Sequence, residues 1–219
     1  MEKKKGDIWL NLGCGVSLAD DFINVDNFFT LEDLKKGQKS KKGQFCNARV
    51  TKDTEFVKAD ICHLPFKDNY ADYVECNDVI EHQPMNKVGE FLKEIYRVLK
   101  PGGKLGMSTT NFDELARLWT INVAGSKFDS QQDWERYNKL SQVIYGNQAG
   151  EGEFHKVAFN PIVMGYWLQI GGFKVPDITI HIFPTNSPVF PPQLAYKIIR
   201  ADIKDRVILT EMMWVTAIK

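Results

Sequence analysis

The 219-residue chain carries no excess of either charge: lysine plus arginine and aspartate plus glutamate number 28 each. No global field therefore draws it to nucleic acid or to an anionic membrane surface. Cysteine is scarce. Cys14, Cys46, Cys62 and Cys76 form no C-x-x-C pair, and Cys62-His63 has no partner pair at ligand spacing. The expectation is reduced thiols in a cytoplasmic protein, and no metal site. Long apolar runs are missing too. None approaches the roughly 18 residues of a membrane span, and the charged stretch Met1–Asp7 leads into an apolar strand without a signal-peptide core. There is no internal repeat and no low-complexity tract.

What is present suits one soluble α/β domain over residues 1–219, monomeric or homodimeric. Hydrophobic residues are 43% of the chain, and a chain this long buries about 70% of its unfolded surface without needing staples. Ile8–Leu12 reads as a buried strand closed by Gly13-Cys14-Gly15, and Phe22–Asp26 as a second. Residues 27–54 are polar and lysine-rich, and read as a long loop. Glu55–Asp60 and Tyr70–Cys76 are further strands. Apolar residues at Val88, Phe91, Leu92, Ile95, Val98 and Leu99 predict one helix over 86–99, which Pro101-Gly102-Gly103 should stop. Lys104–Thr109 is the fifth strand. The alternation predicts a mostly parallel sheet.

Residues 112–158 break that rhythm. They are partly helical and carry Phe112, Trp119, Phe128, Trp134, Tyr137 and Tyr145. The expectation is an inserted cap, in which most of these aromatics simply pack the insertion. Asn160-Pro161 starts another helix, ended by Gly171-Gly172. Lys174–Ile182 is a sixth strand, Pro184–Pro192 a loop, Gln193–Ile203 a short helix and Val207–Ile218 the last strand.

Special residues recur where strands end. Gly13 and Gly15 follow the first strand, Asp26 ends the second, Asp60 the third, Asn77-Asp78 follows the fourth, and Thr109-Thr110-Asn111 the fifth. In an open α/β sheet the ligand lies beyond these ends. Glycines let backbone approach a ligand. A carboxylate can accept both ribose hydroxyls. Any one of these residues alone could be a plain turn or helix cap. Five in register describe a nucleoside-type site.

The motifs resemble those of class I S-adenosylmethionine-dependent methyltransferases of the type 11 group. Leu10–Gly15 resembles their first motif, Asp60–Phe66 their D-x-x-x-L-P-F segment, Asp78–His82 their x-V-L-E-H, and Glu94–Gly103 their E-x-x-R-V-L-K-P-G-G. Phe154–Phe173 is similar to a later segment of the group. The resemblance implies a Rossmann-like doubly wound seven-stranded sheet of order 3-2-1-4-5-7-6, with strand seven antiparallel. It implies S-adenosyl-L-methionine as the methyl donor. Gly13 and Gly15 would approach its methionine part, Asp26 its ribose, and Asp60 with Ile61 its adenine. Asn77 would floor the methionine end, and Leu12, Cys14, Asn27 and Asp78 complete the set. One departure is plain: only ten residues separate Gly15 from Asp26, so the first crossover is abbreviated.

Methyl transfer from a sulfonium chiefly needs alignment and exclusion of water. A base is required only where the acceptor loses a proton, and His82, His155 and Glu81 are its candidates. The structural alternative for each histidine is a hydrogen-bonded loop residue. The acceptor reads as a small molecule or sugar-type metabolite, by family analogy. Two other readings stay open. A nicotinamide-dependent oxidoreductase shares the glycine loop and strand-two acid, although Leu18 stands where G-x-G-x-x-G needs its third glycine. A nucleoside-binding protein without turnover shares the whole site.

Overall fold

Trp9–Leu12 forms β1, buried along its whole length between two parallel neighbours. A strand covered on both faces needs apolar residues in succession rather than alternation. In the computed structural model, which describes residues 3–40, 48–124, 126–148, 150–182 and 212–219, seven strands form one sheet. They are β1, β2 (Ile23–Asp26), β3 (Glu55–Lys58), β4 (Ala71–Asn77), β5 (Leu99–Thr110), β6 (Ile178–Ile182) and β7 (Met212–Ile218). Their order is β3-β2-β1-β4-β5-β7-β6, with β7 antiparallel to both neighbours, as expected. The described part of the last strand begins at Met212. The expected loop at 184–192 and helix at 193–203 lie outside the described residues.

Helix α2 (Met85–Val98) buries Val88, Phe91, Leu92, Ile95 and Val98, the face its spacing predicts. Helix α5 (Pro161–Gly171) packs across it. Asn160 caps α5 by accepting from the Val163 amide at 2.8 Å, and Gly172 ends it at φ +111°. A Cβ at Gly171 would meet that of Leu92 at 2.7 Å, so the helix end needs glycine to dock.

Three local expectations change. Residues 27–54 are not a plain loop, because α1 occupies Leu31–Ser40. Its start is a reciprocal box: Thr30 Oγ1 accepts from the Asp33 amide, and the Asp33 carboxylate from the Thr30 amide, at 3.1 and 3.0 Å. Leu34 is its fully buried anchor. Pro101-Gly102-Gly103 does not separate helix from strand. Leu99 already pairs with Ala71, and residues 100–103 bulge out before Lys104 pairs with Tyr73. The sixth strand starts late, at Ile178, because Val175–Asp177 forms a 3-10 turn. Pro176 within it has no ladder donor.

The segment 112–158 folds as α3 (Phe112–Trp119), a π-type turn at Thr120–Ala124 and α4 (Gln131–Tyr145). Leu115, Val123 and Leu140 make a small core of its own, apart from that of the sheet. Trp119, Phe128 and Tyr137 pack against it, and Trp134 stands edge-on to Phe128 and Tyr137. The base of the excursion is closed by a bridge between Asn111 and Phe159. No helix among the described residues is long and apolar enough to cross a membrane.

Candidate active site

The abbreviated crossover explains how the glycine loop is held. With no room for a helix between Gly15 and Asp26, Trp9, Ala19, Phe22 and Tyr73 form a separate apolar cluster. Trp9 lies 5.2 Å from each of the other two rings. Two buried amides bind the loop to the sheet. Asn11 donates to the Ser17 carbonyl and to Asn24 Oδ1, both at 2.9 Å, and Asn24 in turn donates to the Ala19 and Glu55 carbonyls.

Gly13 and Gly15 sit at φ +61° and +50°. At Gly13 the demand is double, since a Cβ would lie 2.5 Å from Val79 Cγ2. Asp26, only 6% exposed, anchors this loop. Its Oδ2 accepts from the Gly15 amide at 2.9 Å, and its Oδ1 from the Phe28 amide at 2.7 Å. Its Oδ1 also accepts from the Phe29 amide at 3.3 Å, and since a carboxylate offers about four acceptor directions, roughly one remains for a ribose hydroxyl. Asp60 is more open. Its Oδ1 accepts from the Cys62 amide at 2.9 Å.

These strand ends enclose a cavity of about 410 Å³. Gly13, Gly15, Asp26, Asn27, Asp60, Ile61, Asp78 and His82 all line it. Three expected donor contacts do not. Leu12 and Cys14 are packed beneath the loop. The Asn77 amide donates to Glu75 and accepts from Ser108, both at 2.9 Å, which turns it toward the sheet. Sequence reasoning missed Phe28, Phe29, Val79, Gln83, Pro84, Gly150, Gly152, Glu153 and Lys156. Phe28 and Phe29 directly follow Asp26-Asn27, the one signal that could have found them. The last four come from the end of the 112–158 segment, whose described aromatics do not line this cavity.

Glu81 and His155 lie behind the cavity wall, lining a second cavity of about 20 Å³ with Thr109. The 3-10 turn Ile80–His82 carries Glu81 and His82. The Glu81 carbonyl accepts from the Lys156 amide at 2.7 Å, which holds His155 beside that turn. Glu81 is buried, and its carboxyl is pushed up by desolvation and then by the Asp78 charge. Asp78, open to the cavity yet surrounded by protein, is also pushed up by desolvation. Burial holds both His82 and His155 below the usual imidazole range, with His155 at about 4. Both rings are therefore neutral near pH 7. The Cys14 thiol is pushed far up by burial and by Asp26, which makes it a poor nucleophile.

The motif Glu94–Gly103 acts through structure. Glu94 accepts from the Leu64 amide at 2.7 Å and from Arg97 at 2.7 and 2.8 Å. Arg97 also donates to the Leu64 and Phe66 carbonyls and to Asp68. The pair clamps the loop after β3, which carries Asp60 and Ile61 into the cavity.

Fold and site define an α/β domain with an antiparallel seventh strand and a ligand-sized cavity at its strand ends. Residues 10–107 match the family described as a methyltransferase domain. An uncharacterized protein of Methanocaldococcus jannaschii is 37% identical over 120 residues, which are 53% of this chain and 46% of that one. A demethylmenaquinone methyltransferase of Lactobacillus johnsonii is 31% identical over 122 residues, 51% of this chain and 47% of its own. The match thus spans less than half the length of each relative. A crystal structure of an S-adenosylmethionine-dependent methyltransferase from Mesorhizobium loti shares the fold, with TM-score 0.57 and 15% identity over 100% of this chain and 94% of that one. These matches assign residues 10–107 to a methyltransferase domain, and the fold is that of the S-adenosylmethionine-dependent methyltransferase from Mesorhizobium loti. The nicotinamide reading is set aside with that assignment.

Proposed function

We propose that this protein transfers the methyl group of S-adenosylmethionine to an oxygen, nitrogen or carbon atom of a small-molecule acceptor, with 112–158 as the cap that selects it. The observation that carries this reading is the 410 Å³ cavity at the strand ends, where Gly13, Gly15, Asp26, Asp60 and Ile61 converge. Its volume is that of a small-ligand site. Phe28, Phe29 and Pro84 give it an apolar wall. A quinone-pathway name among the relatives accords with an aromatic acceptor. Among the base candidates, His82 is the one that lines this cavity.

The test has two stages. Calorimetry should show stoichiometric binding of S-adenosylhomocysteine. Labelled donor should then pass its methyl to a small phenolic, amine or sugar-type compound in a substrate panel, and not to RNA or protein. Absence of any binding to donor or product would refute the reading. Labelling confined to RNA or protein would overturn the acceptor class alone.

A further inference from the structure

We infer that Glu81, His82 and His155 bind one divalent cation of the zinc, manganese, iron(II) and cobalt group, between the two cavities of the site. Their ligand atoms all lie within 4.8 Å of one another. Three donors bound to one ion at roughly 2.1 Å lie about 3.0–3.6 Å apart, so binding draws the set together by up to roughly 1.5 Å.

Independent features of the structure point to the same place. Glu81 is only 3% exposed, and its Oε2 has no hydrogen-bond partner among the described residues. Thr109 Oγ1, fully buried, makes no hydrogen bond of good geometry among the described residues, and it lies beside Glu81, where it favours the charged carboxylate. Both residues line the 20 Å³ cavity with His155. That volume exceeds the roughly 10–15 Å³ that one small occupant needs. A buried carboxylate is costly unless it is protonated or paired, and a cation seated here pairs it.

The histidines are prepared as ligands. His82 Nδ1–H donates to the Phe154 carbonyl at 3.2 Å, which leaves the lone pair on Nε2. The backbone at Val143 and Ile144 lies against the His155 ring and works against the effect of its burial. An outer-shell bond like that of His82 fixes ring orientation in metal sites. The two rings stand edge-on with centroids 4.7 Å apart. Lys156 N to Glu81 O, at 2.7 Å, joins the backbones that present the three ligands.

Two imidazoles and a carboxylate favour borderline metals over magnesium or calcium, which prefer oxygen alone. A three-ligand set leaves coordination positions open. His82 also lines the donor cavity, so those positions are near its wall. There the cation would hold an acceptor through oxygen. That role rests on the methyl-transfer reading, whereas cation binding does not.

The probe is cobalt(II) added to full-length protein stripped with a chelator. The expected result is one equivalent bound below about 10 µM, with a visible d–d absorption. Glu81→Gln, which preserves shape, and His155→Ala should each weaken binding at least about tenfold. His63→Ala, at the exposed Asp60–Glu90 cluster, should leave it unchanged. Melting temperature and S-adenosylhomocysteine binding are measured on every variant, so a failed fold or a failed donor site is seen separately. If folded wild type binds no cobalt while donor binding is intact, the cluster is a polar pocket for water and the inference falls. It falls equally if Glu81→Gln and His155→Ala bind as wild type does.

Discussion

Asp26 shows how one residue can serve loop and ligand together. Its carboxylate holds the Gly15 and Phe28 amides from inside the fold. Its placement at the end of β2 was legible in the sequence, because an acid closing the second strand has a ready chemical use. Its burial was not, because that depends on residues distant in sequence. Asp26→Asn keeps the shape and one acceptor oxygen. It should weaken S-adenosylhomocysteine binding by about 1.5–3 kcal/mol, roughly 10- to 150-fold, since charge-assisted bonds are lost. Calorimetry reads this directly, and unchanged affinity in a normally melting variant would remove Asp26 from the ribose role. Asp60→Ala should cost less, because the Asp60 side chain is 55% exposed. The expected signature is lost preference for adenosyl over inosyl analogues in competition. Phe28 and Phe29 were legible only through their place directly after Asp26-Asn27, since an aromatic pair has no chemistry of its own. Glu81, His82 and His155 were read as separate base candidates. Their convergence depends on the Lys156–Glu81 backbone bond, which no spacing reveals.

At the scale of elements, the most family-specific stretch of sequence is a clamp between α2 and the loop after β3. The side chain of Glu94 is only 13% exposed, and Arg97 holds its carboxyl below the ordinary carboxylate range. Glu94 thus stabilises the folded chain fully above its unfolded pKa of about 4.3, and that contribution fades as pH falls through the lower folded value. Glu94→Gln should cost about 1–3 kcal/mol near neutral pH. Urea titrations from about pH 6 down to pH 3 should show the wild-type advantage shrinking toward acid. A gap that stays constant over that range would mean that the charge does not matter. Strands β1, β2 and β4 and helix α2 were legible because their apolar patterns and stop signals agree. Helix α1 was hidden by its lysines: one anchor, Leu34, and a threonine–aspartate box outweigh a polar composition. The start of β6 was misplaced because Pro176 turns the chain first.

For the whole molecule, the strand order followed from family resemblance, and periodicity alone predicted only a mostly parallel sheet. The independence of the 112–158 excursion was visible only in part, as a break in alternation. The structure adds the physical reason to treat most of it as separable. Asn111 and Phe159 are bridged at its base, and its apolar core is distinct from that of the sheet. It is not wholly separate from the donor cavity, because Gly150, Gly152, Glu153 and Lys156 line that cavity and Gly152 lies against the Phe28 ring. The informative variant therefore replaces residues 115–148 with a short glycine–serine linker and keeps 150–158. Since the ends of the excursion meet, loop closure adds little cost, and the sheet should fold. Donor affinity should stay within about threefold of wild type, because the residues that line the donor cavity remain. On the proposed cap role, methyl transfer to the identified acceptor should fall at least about 100-fold, because the exposed Trp134 and Tyr145 and the helices that carry them are gone. Binding and turnover measured on the same preparation separate the two effects. Normal turnover in the folded variant would show that the excursion only covers the sheet, and an unfolded variant would show that its core is part of the domain's own stability.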